Sequence, residues 1–252
     1  MPTSSTPIYF DWQFWSAVVA VLAVVLSQVP PIRLWFRPRR LEVEVHSRLL
    51  INHKVGNPNV SMFMSVRNTG GRELRIKSLK LALIRDGLHL SHLPAQNYFE
   101  NPSSTSTVLF VPFSLKPSET WAHGVNFLNF FDRTSEKLYR ERESALSMDI
   151  RNKIKLRPKN DKDPVLADPS MVKPFTDMFE KLFLWHPGEY VIELSVETEP
   201  GAASFTRKYR FTLYESDSAE LRSHTDDYQI GGGLSFNVDR HIGVLVPLQQ
   251  HS

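Results

Sequence analysis

Two stretches of alternating apolar and polar residues, Tyr190-Val-Ile-Glu-Leu-Ser-Val196 and Lys208-Tyr-Arg-Phe-Thr-Leu213, decide the fold class. Alternation with a period of two is typical of strands that bury one face. The intervening Glu199-Pro-Gly-Ala202 predicts a type II turn, with Pro and Gly at the two central positions. Acidic residues on the first strand face basic residues on the second, which suits cross-strand pairing. These stretches predict an antiparallel hairpin.

Similar patterning occurs in the preceding half of the chain. The β-prone runs are residues 41–45, 60–66, 74–76, 79–83, 108–115 and 121–131. The alternation of 74–76 resumes at 79–83 one residue out of phase, and this slip predicts a β-bulge near Ser78. Because no strand–helix–strand spacing occurs, we predict antiparallel sheets packed face to face.

Two short segments resemble immunoglobulin-like β-sandwich domains of bacterial proteins. Met64-Ser-Val-Arg-Asn-Thr-Gly70 is a strand that ends in an Asn-x-Gly turn. In Pro187-Gly-Glu-Tyr-Val-Ile-Glu-Leu-Ser-Val196, Tyr190 stands near the start of a late strand, as in a tyrosine corner. The resemblance implies an Ig-like antiparallel β-sandwich over residues 41–215 and names no specific family.

A helical insertion is predicted at residues 132–185, with Asp168-Pro169 as N-cap and first residue of its second helix. That helix carries an apolar stripe at helical spacing. One interpretation is that the stripe packs on the sandwich as core. The alternative is a partner-binding or oligomerising face, since Met and Phe suit adaptable surfaces. The stripe consists of Met171, Phe175, Met178, Phe179, Leu182 and Phe183.

The N-terminal region predicts a transmembrane helix. From Trp12 to Ile32 there are 21 residues without a charge, enough for a helix of roughly 30 Å. Residues 1–11 then form a short extracytoplasmic N-terminus, and residues 33–40 form a basic juxtamembrane segment. The predicted membrane-interface residues are Trp12, Trp15, Arg33, Trp35, Phe36, Arg37, Arg39 and Arg40.

The arginines at 33–40 predict the orientation. No Lys or Arg precedes the span, so the positive-inside rule places the N-terminus outside and the remainder in the cytoplasm. The predicted protein is therefore a mainly β, single-pass protein of the inner (plasma) membrane. Its sandwich carries a two-helix insertion and is followed by a C-terminal tail, 216–252. The strand-like Ile242-Gly-Val-Leu-Val246 in that tail can add an edge strand or reach another chain.

Composition excludes several classes of function. The chain has 252 residues, no Cys and a formal net charge of +3. Without Cys there is no disulfide framework, zinc ribbon, thiol nucleophile or iron–sulfur cluster. Residues 41–252 carry equal numbers of acidic and basic side chains. This balance argues against a nucleic-acid partner.

No motif predicts catalytic residues, a metal site or a cofactor. Gly231-Gly-Gly233 lacks the Lys-Ser/Thr of a phosphate-binding loop. His89 and His92, three residues apart on a strand, are expected on opposite faces. No small-molecule substrate is indicated, and an enzyme would need a site without a recognisable motif.

Two functions follow from the predicted architecture. The first is a non-enzymatic, membrane-anchored interaction domain that is presented to a protein partner. The alternative is a membrane effector or assembly subunit of a bacterial defence or stress system, which acts through oligomerisation of its transmembrane helix. The predicted partners are membrane lipid and either another protein or further copies of the chain.

Overall fold

A computed structural model describes residues 12–28, 37–101, 103–158, 163–235 and 243–251. These residues form a mainly β structure with four α-helices. The helices are α1 (Trp12–Gln28), α2 (Arg133–Leu156), α3 (Pro169–Leu182) and α4 (Glu215–Ser223). The strands are β1 (Leu41–Val45), β2 (Arg48–Lys54), β3 (Asn57–Asn68), β4 (Leu74–Arg85), β5 (Leu88–Phe99), β6 (Thr107–Leu109), β7 (Phe113–Leu115), β8 (Thr120–Leu128), β9 (Gly188–Glu199), β10 (Phe205–Leu213), β11 (Val244–Pro247) and β12 (Gln249–Gln250).

The strands make one antiparallel sheet in the order β11-β2-β3-β8-β5-β4-β9-β10-β12. Three further strands pair at the side of this path: β1 with β3, β6 with β5, and β7 with β4. This continuity differs from the two separate sheets that we predicted. Strand β5 joins the two halves, because its residues 88–94 pair with β4 and its residues 95–99 pair with β8. The resemblance to immunoglobulin-like domains stays a prediction.

The predicted hairpin is confirmed as β9 and β10. Tyr190, Ile192, Leu194 and Val196 are buried, and the predicted facing of acids and bases includes a Lys208–Glu193 ion pair of 3.5 Å. The type II turn is wrong, because Gly201–Ala203 forms a turn of 3₁₀ helix instead. The predicted bulge is confirmed, since the register of β4 against β9 shifts between Ile76 and Ser78.

Two buried polar side chains, those of Tyr190 and Asn68, fix loops at two different places in the sheet. The Tyr190 hydroxyl lies 2.9 Å from the Leu184 carbonyl oxygen and 2.7 Å from that of His186, so it fixes the chain that enters β9. The amide of fully buried Asn68 donates to the carbonyl oxygens of Arg72 and Leu115 at 2.8 and 2.9 Å. Buried polar groups are costly unless they are hydrogen-bonded, so both side chains specify local structure as well as filling space.

Helices α2 and α3 cover one part of the sheet. The side chain of Asp132 caps α2, and Asp168 caps α3 as predicted, with Pro169 as the first helical residue. Tyr139 of α2 meets Phe175 of α3 edge to face, with ring centroids 5.7 Å apart. Burial of these aromatic faces, together with the caps, fixes the helices against the sheet.

Gly56 lets the β2–β3 turn approach α3 closely. Its φ is +82°, a backbone conformation that residues with a side chain rarely adopt. A Cβ at this position would lie 2.6 Å from the Phe179 carbonyl oxygen and 3.0 Å from the Phe183 amide nitrogen. The absence of a side chain is therefore required for α3 to pack where it does.

The prediction of a transmembrane helix over 12–32 is wrong, and with it the single-pass inner-membrane placement and the orientation. The described part of helix α1 is Trp12–Gln28. Within the described ranges, no helix combines the length and apolar character needed to span a bilayer. Trp12 and Trp15 are exposed, at 78% and 54%.

The remaining predicted interface residues fall in two groups. Arg37, Arg39 and Arg40 lie in the described segment that leads directly into β1. Arg33, Trp35 and Phe36 lie outside the described residues, as does the predicted N-terminal segment 1–11. No membrane interface is therefore assigned to either group.

Candidate interaction groove

The two ends of the sheet meet along a seam that the C-terminal strand segments fill in part. On one side β11 pairs with β2, from Val244 opposite Ile51 to Pro247 opposite Arg48. On the other side β12 pairs with β10, with Gln250 opposite Tyr209. Residues 244–250 therefore bridge β2 and β10, which lie more than 150 residues apart in the sequence.

Hydrogen bonds alternate between the two sides of this seam. The Leu248 amide donates to the Ser47 carbonyl oxygen at 2.8 Å, and the His251 amide donates to the Lys208 carbonyl oxygen at 3.1 Å. Such alternation is expected of a strand that has a neighbour on each side. The predicted edge strand in the tail thus pairs within its own chain.

Side chains of the C-terminal segment alternate as well. Val244, Val246 and Leu248 are buried, whereas Leu245 is 53% exposed. Gly243, with a φ of +80°, precedes the segment and lies directly against the Ile51 carbonyl. The filled part of the seam therefore accepts an extended chain with apolar residues at every second position.

Beyond this segment the seam opens into a groove between β1 and β10. The chain bends at Ser47, between β2 and β1, and β1 runs on along β3 with no described strand on its other edge. The groove has a volume of about 460 Å³. Its lining residues are Arg40, Leu41, Glu42, Val43, Glu44, Thr69, Phe205 and Arg207.

The hydrogen bonds of β1 define which main-chain groups face the groove. The Arg40 carbonyl oxygen accepts from the Thr69 amide, and the His46 amide donates to the Phe63 carbonyl oxygen, so both point toward the β3 side. Main-chain groups of successive residues point to opposite sides of a strand. The N–H and C=O groups of Leu41 and Val43 therefore point toward the groove.

Strand β10 presents the opposite wall. Because the Lys208 carbonyl oxygen accepts from His251, the main-chain groups of Lys208 and of Thr206 point away from β9. Beyond Lys208, β10 has no described strand on this edge. Two strand edges therefore face each other across the groove.

The side chains divide the groove into an apolar inner face and a charged outer face. Leu41 and Val43 are buried and Phe205 is half-buried, with the Arg207 guanidinium 5.0 Å from the Phe205 ring centroid. Glu42 and Glu44 are exposed on the outer face. Neither carboxylate makes an ion pair with any residue that the structure describes.

The apolar stripe that we considered for partner binding lies elsewhere, between α3 and the sheet. Phe175, Phe179 and Phe183 are buried, and Met171 and Met178 pack against the same core. Leu182 is partly exposed. These contacts leave the aromatic side chains of the stripe inside the domain.

A polar and aromatic cluster adjoins the stripe. The Arg222 guanidinium lies 4.5 Å from the Phe183 ring centroid and 3.3 Å from Nδ1 of His186. The pKa of His186 is lowered, first by partial burial and then by the positive charges of Arg222 and Arg85. Nε2 of buried His53 lies 2.8 Å from the Leu221 carbonyl oxygen and thereby links α4 to β2.

His89 and His92 lie on one face of the sheet, which corrects the expectation of opposite faces. The pairing of β5 with β4 shifts register between Leu83 and Ile84, so Leu90 is an extra residue in β5. The imidazole rings stack with centroids 5.7 Å apart. In the described part of the chain, no three His, Cys, Asp or Glu residues come together as metal ligands.

The groove was missed from sequence because its walls belong to distant segments. Alternation identified residues 41–45 as a strand but gave no information about which edge is paired. The available signal in the sequence was the alternation that places Glu42 and Glu44 on one face of the strand and Leu41 and Val43 on the other.

Comparisons with known proteins add a distant likeness. No family model matches the chain, and no curated protein matches it. Among solved structures, it is similar to the crystal structure of a protein from Archaeoglobus fulgidus, with 10% identity and a TM-score of 0.28. The match covers 67% of this chain and 97% of that one. At this TM-score the likeness carries no argument about fold or function.

Proposed function

We propose that the chain is a non-enzymatic protein-binding module whose partner docks in the groove between β1 and β10. The observation that supports this is the edge of β1 along which the described residues place no strand, with the main-chain groups of Leu41 and Val43 directed into the groove. Folded proteins usually cover or interrupt such edges, because a free edge is a template for pairing. An edge inside a groove can instead be used for specific recognition.

The lining suits a peptide better than a reaction. Main-chain donors and acceptors of β1 supply affinity for any extended chain, and neighbouring side chains supply specificity. The apolar inner face formed by Leu41, Val43 and Phe205 offers burial to a partner's side chains. The groove therefore offers a short extended segment of another protein both main-chain partners and an apolar face.

The proposal is tested with peptides as probes. A library of random eight-residue peptides is selected on the immobilised full chain, and enriched peptides are measured by fluorescence anisotropy. Thr69→Trp places a large side chain against the groove, and we expect at least tenfold weaker binding. Thr176→Trp, which alters a partly exposed residue of α3, is the matched control and should bind like the wild type.

A second measurement does not depend on a variant. Bound peptide should slow amide hydrogen exchange at Leu41 and Val43 of the wild-type chain, because their N–H groups gain a partner. The proposal fails if no peptide is enriched. It also fails if the enriched peptides bind Thr69→Trp as tightly as they bind Thr176→Trp.

A further inference from the structure

We propose that the outer face of β3, β8 and β5 is a binding site for neutral carbohydrate. In this site sugar rings stack on Phe63 and Phe99, and sugar hydroxyl groups form hydrogen bonds with the amides of Asn97 and Asn126. None of these residues lines the groove between β1 and β10, so the inference goes beyond the proposed function and does not depend on it.

The strand register places the residues of this site in two adjacent rows. Residues directly opposite each other in antiparallel strands point to the same face. Met62 and Met64 of β3 are buried, so the residues that alternate with them point outward. One row consists of Ser61, Asn126 and Asn97, and the next consists of Phe63, Gly124 and Phe99. An aromatic row therefore lies beside an amide row, about 7 Å away along the strands.

The aromatic row contains a depression because its middle residue is a glycine. Phe63 is 45% exposed, and Phe99 is half-buried. A Cβ at Gly124 would meet the Phe99 ring at 3.5 Å and no other described atom within 4 Å. The space above Gly124 has a volume of about 280 Å³, and Glu100 and Ser104 also line it. This volume is close to the lower limit for small-molecule sites, which measure about 300–1,000 Å³.

The wall that Phe99 forms is held in place by a histidine. Nδ1 of His123 lies 3.1 Å from the carbonyl oxygens of both Phe99 and Glu100. Because both partners are acceptors, Nδ1 carries the proton and donates to them. These hydrogen bonds fix the end of β5, where the Phe99 ring stands, before a ligand arrives. Preorganisation of this kind lowers the entropic cost of binding.

The amide row is also ordered without a ligand. The Ser61 hydroxyl donates to Oδ1 of Asn126, and Nδ2 of Asn126 donates to Oδ1 of Asn97 at 2.6 Å. This chain of hydrogen bonds orients both amides, and it leaves the side-chain N–H groups of Asn97 without an acceptor among the described residues. A hydroxyl group both donates and accepts, so a sugar hydroxyl can accept from Asn97 without disturbing the row.

The distribution of charge indicates the class of ligand. The outer faces of β9 and β10 carry acidic and basic side chains, including the Lys208–Glu193 ion pair. By contrast, the outward residues of the proposed site are all uncharged: Asn59, Ser61, Phe63, Ser65, Ala122, Gly124, Asn126, Leu128, Asn97 and Phe99. Such a face is complementary to a neutral ligand, and it offers no cation to the phosphates of a nucleic acid. Glu100, at the rim of the depression, is exposed and can accept from a further hydroxyl.

A carbohydrate matches this face better than a protein surface does. The face of an aromatic ring carries partial negative charge, which attracts the C–H groups of a sugar ring. The hydroxyl groups around the sugar need donors and acceptors such as amides. A stable protein interface instead buries about 800 Å² per partner around an apolar core. Here the hydrogen-bonded amide row occupies the centre of the face, and the large apolar groups of the two rows are the rings on either side of Gly124.

Binding is tested with an array of immobilised oligosaccharides, both neutral and acidic, to which the labelled full chain is applied. We expect the chain to bind neutral oligosaccharides. Binding should persist in about 1 M salt, because no ion pair contributes to it. An oligosaccharide that binds is then titrated into the wild type and the variants by calorimetry.

Gly124→Val fills the depression and is the decisive variant. The φ of Gly124 lies outside the left-handed region and its Cβ would make only ordinary contact, so the domain should fold with an unchanged or higher melting temperature. Binding should weaken at least tenfold. Gly201→Val is the matched control, because a Cβ there meets no described atom within 4 Å, and it should bind like the wild type. Phe63→Ala, which removes the exposed ring, should also weaken binding at least tenfold.

Three results would overturn the inference. The first is that no neutral oligosaccharide on the array binds. The second is binding that is confined to acidic oligosaccharides and abolished by salt, which would mean recognition by charge. The third is that Gly124→Val or Phe63→Ala, folded as judged by circular dichroism, binds as tightly as Gly201→Val.

Discussion

Truncation of Phe179 to Ala should cost the domain a large part of its stability. The ring is 1% exposed and packs against Phe183 and His53, with centroids 4.7 and 5.1 Å away. Removal of a buried Phe side chain costs about 3–5 kcal/mol through lost burial and the cavity left behind. Lost ring-to-ring contacts add to this cost, so we expect about 4 kcal/mol.

Urea unfolding of the full chain, followed by fluorescence, measures this change. The midpoint should fall with an unchanged slope, since the surface exposed on unfolding stays similar. Met178→Ala, at the partly exposed neighbouring position, is the control and should cost about 1–2 kcal/mol. A loss below about 1 kcal/mol for Phe179→Ala would refute the reasoning that the stripe is core, and would return α3 to consideration as a binding face.

Three further outcomes are expected. Gly56→Ala should destabilise the domain by at least about 2 kcal/mol more than Gly87→Ala in urea unfolding, because both positions have positive φ but only the first Cβ meets backbone atoms; equal losses would argue against close packing at Gly56. Asn68→Ala should lower the free energy of unfolding by about 2–4 kcal/mol in the same assay, because it leaves buried main-chain acceptors, including the Leu115 carbonyl oxygen, without their hydrogen bond from the Asn68 amide. A neutral result would contradict this. The lowered pKa of His186 means that the folded state binds fewer protons at this residue than the unfolded state. The free energy of unfolding should therefore be highest above about pH 6.5 and decline modestly as the pH falls below that value. His186→Gln should flatten this decline in thermal melts at pH 5–8.

Local patterns predicted the local structure of this chain. The hairpin of β9 and β10 and the bulge at Ser78 depend on residues that are close in sequence, and alternation reports them directly. The N-cap at Asp168 was found for the same reason. In each case neighbouring residues carry the physical cause.

The predictions that failed concern the length of an element or the segments that it packs against. Absence of charge over 21 residues suggested a span, whereas no helix among the described residues is long and apolar enough to cross a bilayer. An extra residue at Leu90 brought His89 and His92 together. The groove depends on β1, β10 and the C-terminal segment lying side by side, and no local pattern encodes that arrangement.

The order of the strands also has a consequence for biosynthesis. β11 and β12 come after all the other described strands in the sequence, yet they join the two ends of the sheet. On the ribosome, the edges of β2 and β10 therefore emerge before β11 and β12, the strands that close the seam between them. An open edge of this kind attracts other nascent chains. Premature termination before Val244 would leave a nearly complete domain that is prone to aggregate, so quality control should favour rapid removal of such products.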